Sequence, residues 1–263
     1  MKKLSNFCSC ALVAGMVLAL GSAANGQVID DFEAFDATNY TTTVILDNDA
    51  GGSNTSALGV NGAGQVIFDT TVVQGASVEQ LAIIRNGLTL AVGQELQLDV
   101  DSTVGDAARG DQDFGLYVGS APITATPGAD TRANFLTVFQ RDAGSDVHTA
   151  LFNDDNLGGN TNDFGTNGTY DTLFIARTAV DQYEAGIYNG TTRSVLRAPV
   201  TITTALAGPA IGFYADVRSV DTLESGYDNL RINPIGVNAV PEPSSLALLG
   251  LGGLVGLVRR RRS

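Results

Sequence analysis

Apolar and polar residues alternate with a period of two through most of the middle of this chain. In Gln94–Val100, Leu96, Leu98 and Val100 fall on one side and Glu95, Gln97 and Asp99 on the other, the pattern of a strand with one buried face. Runs at residues 64–73, 80–90, 114–120, 134–142, 147–154, 172–180 and 210–218 share this character. They are rich in β-branched and aromatic residues and separated by Gly, Asn and Asp, as turns require. Within residues 183–196, Asn189-Gly190 sits between two strand-like runs and predicts a hairpin closed by a type I′ turn. Residues 75–84 fit a single short turn of helix, and the Gly/Asn/Asp-rich segments 46–64 and 153–171 predict loops linking strands. Strands do not alternate with helices and no repeat recurs at a fixed period, which argues against parallel α/β, propeller and β-helix folds. The expectation is all-β: a single antiparallel sandwich over residues 27–239.

The two ends read differently. Residues 1–26 have the form of a signal peptide: Lys2 and Lys3, an apolar run from Phe7 to Leu20, then small residues that permit cleavage before Asn25 or before Gln27. At the other end, Pro241-Glu242-Pro243 precedes Ser244–Val258, which carries no charge, and then Arg259, Arg260, Arg261 and Arg262. The prolines hold the approach extended and delay any helix until Ser244. A helix rising about 1.5 Å per residue would cover roughly 22 Å of a hydrocarbon core of about 30 Å. Snorkelling arginines and local thinning absorb such a shortfall at modest cost. Positive residues stay cytoplasmic, so residues 240–263 predict one short transmembrane helix with the sandwich on the far side of the inner membrane.

Composition narrows the chemistry. The chain has 28 acidic and 15 basic residues, a net charge of −13, and six of the basic residues (Lys2, Lys3 and Arg259–Arg262) lie outside the predicted sandwich. Nucleic acid is therefore disfavoured as a partner. Both cysteines, Cys8 and Cys10, lie in the predicted signal peptide, so the exported core has neither disulfides nor a thiol for catalysis or zinc. His148 is the one histidine, and no G-x-S-x-G elbow or phosphate-cradling loop accompanies it.

Glu33, Glu79, Glu95, Glu184 and Glu224 are too far apart in sequence to share a strand, and Asp111 with Asp113 lacks glutamate company, so a glycosidase carboxylate pair is not expected. Oxygen ligands alternate at Asp47 and Asp49 and at Asp154, Asn156 and Asn160, but neither set completes a calcium loop. Without tryptophan, sugar stacking would fall to Tyr40, Tyr117, Tyr170, Tyr183, Tyr188, Tyr214 and Tyr227.

Two resemblances add to this. The opening VIDDFEAFD (28–36), the closing GYDNLRINPI (226–235) and the GIYNG hairpin resemble concanavalin-like or laminin-G-like jelly rolls of bacterial surface proteins. That likeness implies first and last strands lying side by side, and in carbohydrate-binding jelly rolls a structural calcium that would here enlist Asp31 and Asp228. The carboxyl end resembles the PEP-CTERM sorting signal: Pro241, Glu242 and Pro243, then a hydrophobic span and a basic stop. It implies an exosortase-type processing protease as partner, transient anchoring in the inner membrane with the core periplasmic, and release or re-anchoring at the surface, in bacteria that make exopolysaccharide and biofilm matrix. The expected product is a non-catalytic, exported cell-surface or extracellular-matrix protein associated with exopolysaccharide. A lectin-like carbohydrate-binding module is the alternative, and a polysaccharide hydrolase follows behind it.

Overall fold

The computed structural model describes residues 26–47, 55–60, 64–71, 79–100, 112–126, 128–140, 147–153, 156–162, 170–202, 208–217, 222–223 and 227–238. Strands are numbered in chain order. One sheet has six strands in the order β1 (Gln27–Asp30), β16 (Tyr227–Pro234), β6 (Gln94–Val100), β11 (Thr172–Arg177), β12 (Gln182–Asn189) and β13 (Thr192–Thr201). The second has seven: β10 (Asn156–Asn162), β9 (Val147–Asn153), β8 (Phe135–Gln140), β7 (Gln112–Gly119), β14 (Ala210–Val217), β5 (Glu79–Thr89) and β2 (Tyr40–Asp47). All pairings are antiparallel; β7–β10 and β11–β13 are runs of hairpins within one sheet, and the chain crosses between the two large sheets from β1 to β2, β5 to β6, β6 to β7, β10 to β11 and β13 to β14. A third sheet of three short strands, β15 (Thr222–Leu223), β4 (Val66–Thr71) and β3 (Thr55–Val60), accompanies them.

The alternation in the sequence places the core. Leu96, Leu98 and Val100 of β6, Leu173 and Ile175 of β11, and Tyr227, Leu230 and Ile232 of β16 face Phe114 and Leu116 of β7, Leu136 and Val138 of β8, and Phe213 of β14. Phe213 is the aromatic hub, with ring centroids 5.2 Å from Phe114, 5.7 Å from Tyr40 and 6.2 Å from Phe32. Phe32 reaches this cluster from a left-handed backbone position, φ 57°, unusual for a bulky residue. The Asp30 carboxylate supports the turn by accepting the Phe32 N–H at 3.0 Å and the Tyr40 hydroxyl at 2.9 Å.

First and last strands do lie side by side, with Gln27 opposite Ile232 and Val28 opposite Arg231. Four local expectations are corrected. Residues 79–84 are strand, not helix, because Leu81 and Ile83 alternate into the core with β-branched neighbours around them. Parts of both Gly/Asn/Asp-rich segments, at β3 and β10, are strands, since sheet edges tolerate residues with little propensity of their own. The hairpin between β12 and β13 forms, but Asn189 pairs with Thr192 as the last strand residue. Gly190 alone takes positive φ, 58°, which is the type II′ pattern with glycine first. The backbone is pinned there because the Gly190 N–H donates to Asp171 Oδ2 at 2.6 Å. Among the described residues no helix is long and apolar enough to cross a membrane; the predicted signal peptide and terminal span lie outside them.

Phe213→Ala removes the ring on which three aromatic neighbours rest. It is expected to lower stability by about 3–5 kcal/mol, read from the shift in urea midpoint at unchanged slope.

Candidate functional site

The outer face of the six-stranded sheet carries the densest polar constellation among the described residues. Alternation out of the core puts Glu95, Gln97 and Asp99 of β6 there, with Glu184 and Tyr188 of β12, Arg193 of β13, and Arg231 and Asn233 of β16. Two glutamates too far apart in sequence to share a strand nevertheless meet across the sheet. Strand β11 separates β6 from β12, and its small Ala176 pairs with Glu95 on one side and Glu184 on the other. Both carboxylates reach Arg193: Nε lies 3.1 Å from Glu95 Oε2, and an Nη lies 2.5 Å from Glu184 Oε1. The guanidinium stacks 4.0 Å above the Phe174 ring. Burial works against the charge on Arg193, but the two carboxylates outweigh it and hold its pKa above the usual arginine value.

The network continues toward β16. Glu95 also accepts the Tyr188 hydroxyl and, at 2.5 Å, Gln97 Nε2. Burial first, then the charge of Glu95, pushes the Tyr188 phenol above its ordinary range, so it donates at any physiological pH. Gln97 Oε1 accepts Arg231 Nε at 2.8 Å and Asn233 Nδ2 at 2.7 Å, and Arg231 pairs with Asp99 Oδ1 at 2.6 Å. A half-buried strand was expected at β6, yet Glu95, Gln97 and Asn233 are 0% exposed and Arg231 1%.

The cover is the chain itself. After β16, a turn closed by the Val237 N–H on the Pro234 carbonyl, with Gly236 at φ 84°, reverses the backbone. Residues 235–238 then lie back across the sheet as a strap. Ile235 packs on Phe174, Ala176 and Tyr188. The Val237 carbonyl accepts Gln97 Nε2 at 2.9 Å and Asn233 Nδ2 at 3.0 Å. Asn238 Oδ1 accepts an Arg231 Nη at 2.7 Å, while its Nδ2 donates to the Gly190 carbonyl at 2.6 Å. With both carboxylates clamped by one guanidinium beneath this cover, the pair is arranged to hold structure. A glycosidase pair must instead flank a sugar and exchange protons with it.

The outer face of the seven-stranded sheet is also filled. Tyr117, Phe135, Phe139, Phe152 and Tyr214 form a buried aromatic cluster with Ile45, Ala82 and Ala150. Arg132 crosses it, its guanidinium 4.7 Å from the Phe152 centroid and donating to Gln80 Oε1 at 3.0 Å. Asp216 accepts Gln80 Nε2 at 3.1 Å and stands opposite Asp113 on the neighbouring strand; both aspartates are 3% exposed. All seven tyrosines of the chain are buried, none more than 9% exposed, so none offers the open ring face that sugar stacking needs.

Of the residues expected to carry chemistry, Asp31 and Asp228 are brought near one another, alongside Asp99 and Glu33. Burial, opposed by the Asn229 N–H that Asp228 accepts at 2.7 Å and joined by the charges of Asp99, Glu33 and Asp31, raises Asp228 above the usual carboxylate pKa. No three His, Cys, Asp or Glu side chains among the described residues converge as a metal site, and the Asp31 carboxylate is turned to the Glu33 N–H at 3.3 Å. His148 lies in β9 opposite Phe139. Pro241, Glu242, Pro243, Arg259–Arg262, Asp49, Asp111, Asp154 and Glu224 lie outside the described residues. Sequence reasoning missed Arg193, Asn238 and the strap; the usable signal was outward-facing arginine on β13 and β16 matched to outward-facing acids on β6 and β12.

Residues 239–262 match the family model of the PEP-CTERM protein-sorting motif. The chain therefore carries an export and sorting signal, beginning one residue after the strap. No curated protein matches the chain. Among solved structures, the chain is similar to the Ca2+-bound exoplasmic/lumenal domain of VIP36, at 13% identity over 81% of this chain and 92% of that one, TM-score 0.40. A Shewanella oneidensis MR-1 protein of unknown function is 9% identical over 90% and 100% of the two chains, TM-score 0.40. The CBM2 module of an evolved Dit protein from Lactobacillus casei BL23 phage J-1 is 13% identical over 82% and 99%, TM-score 0.45. At these scores nothing about what those proteins bind passes to this chain.

Arg193→Ala leaves the fully buried Glu95 without its cation and is expected to cost about 3 kcal/mol, measured by urea unfolding. Asp228 behaves oppositely. Its folded pKa lies above its ordinary value of 3.8, so it favours folding only while protonated, and that contribution fades as pH rises through the folded value. Asp228→Asn is expected to raise the urea midpoint at neutral pH and to match the parent at strongly acid pH. A loss of neutral-pH stability that appears only with added calcium would make Asp228 a cation ligand instead.

Proposed function

We propose that this is a non-catalytic protein of the cell surface or extracellular matrix, exported across the inner membrane and processed at its carboxyl end by an exosortase-type protease. The observation that carries the proposal is the sorting motif at residues 239–262 joined directly to a folded sandwich. The signal peptide at 1–26 starts export, Ser244–Val258 halts in the bilayer, and Arg259–Arg262 keep the last residues cytoplasmic. The sandwich is then left on the periplasmic side until the protease acts on the segment marked by Pro241, Glu242 and Pro243.

The clamped Glu95–Arg193–Glu184 group, the filled outer face of the seven-stranded sheet and the burial of every tyrosine support a structural role over hydrolysis or sugar stacking. An acidic surface suits an extracellular protein that meets hydrated exopolysaccharide without collapsing onto it.

In the native host, Glu242→Ala is expected to leave full-length protein in the inner-membrane fraction, while the parent leaves it with a shortened carboxyl end found by mass spectrometry. Identical processing of the two would overturn the sorting assignment of the motif, and intact termini in cytosolic parent protein would overturn export.

A further inference from the structure

We infer that the strap at residues 235–238 decides which end of the sandwich faces the membrane, and that this end is the one carrying the β12–β13 turn at Gly190 and Thr191. The six-stranded sheet has two ends. Gln27, Gln94 and Pro234 mark one, where β1 begins, β6 begins and β16 finishes; Val100, Asn189 and Tyr227 mark the other. If the chain simply ran on from Pro234, the sorting tail would leave at the first end, beside the start of the exported core.

It does not run on. The turn at Pro234–Val237 sends the backbone back over Gln97 and Asn233, and Asn238 ties it to Arg231 and to the Gly190 carbonyl. The tail thus departs from the Gly190 end, opposite the end where the exported core begins. Four contacts from two residues hold this route, and three of them engage the nearly buried Gln97, Arg231 and Asn233, so lifting the strap would take one acceptor from each of these side chains. The reversal is a built feature of the fold.

Length gives the route its consequence. From Asn238 to the first residue of the uncharged span, Ser244, the extended chain covers about 20 Å at most, and Pro241 and Pro243 stiffen it. The eight residues of β12 make the sandwich about 26 Å long in this direction. While the tail is anchored, the Gly190 turn is therefore held within reach of the lipid surface, and the opposite end, with the exposed Val180 in the β11–β12 turn, is held away from it. The occupant of this end is a lipid bilayer, and the proposal rests on the tail acting as a membrane anchor.

The test uses the exported chain from Gln27 to Ser263, which has no cysteine of its own, carrying a single fluorescent label at Thr191→Cys or Val180→Cys. It is reconstituted in phosphatidylethanolamine–phosphatidylglycerol vesicles that contain a nitroxide-headgroup lipid. Both labelled positions are exposed turn residues outside the buried network. The label at 191 is expected to lose most of its emission to the nitroxide and the label at 180 little. Adding Asn238→Ala, which cuts the tie to Gly190 and Arg231, is expected to narrow that difference. Equal quenching, or stronger quenching at 180, in protein that floats with the vesicles would overturn the assigned orientation while leaving the anchor intact. Protein that does not float with the vesicles would overturn the anchor, and the orientation with it.

Discussion

A carboxylate with no exposure to water cannot stay charged unless cations and donors surround it, and Glu95 is such a carboxylate. Arg193, Tyr188 and Gln97 supply what it needs, Gln97 in turn engages Arg231 and Asn233, and the far ends of that network are satisfied by Val237 and Asn238. Each link leaves the next with an unmet donor or acceptor. The polar face of the six-stranded sheet therefore closes only when the last four described residues lie across it. That dependence joins the packing of the sandwich to the route by which the sorting tail leaves it.

Much of this was legible in the residues. The alternation of Leu96, Leu98 and Val100 fixed which side of β6 meets the core, and the resemblance of the acidic-aromatic opening and the DNLRI ending to jelly-roll strands implied that β1 and β16 are neighbours. Alternation says which way a side chain points, though, and nothing about what lies over it. Glu95 and Gln97 read as the wet side of a half-buried strand because the strap that covers them comes some 140 positions later in the chain. The meeting of Glu95 with Glu184 was hidden for a similar reason: it depends on β11 placing Ala176 between them, a register that no local pattern encodes. Local signals failed where propensity was weak, at β3 and β10, and where an external partner chose between turn types, as Asp171 does at Gly190.

The sandwich and the tail divide the work. The body has two filled faces, with aromatic rings and an Asp113–Asp216 step under one and the clamped ion network under the other. Instructions about destination sit instead in residues 239–262. The strap is where these parts meet, since Asn238 is at once the last residue bound to the sheet and the neighbour of the motif. A protease approaching Pro241–Pro243 would meet a rigid domain three residues away.

The central claim is that the strap is an integral part of the sandwich and not a linker. Comparing urea unfolding of chains ended after Asn238 and after Pro234 tests it most directly. The account predicts that the first unfolds at the midpoint of the full-length exported protein and that the second loses about 2–4 kcal/mol, because Gln97, Arg231 and Asn233 each lose one hydrogen-bond acceptor at about 0.5–1.5 kcal/mol. Equal midpoints for the two would contradict it.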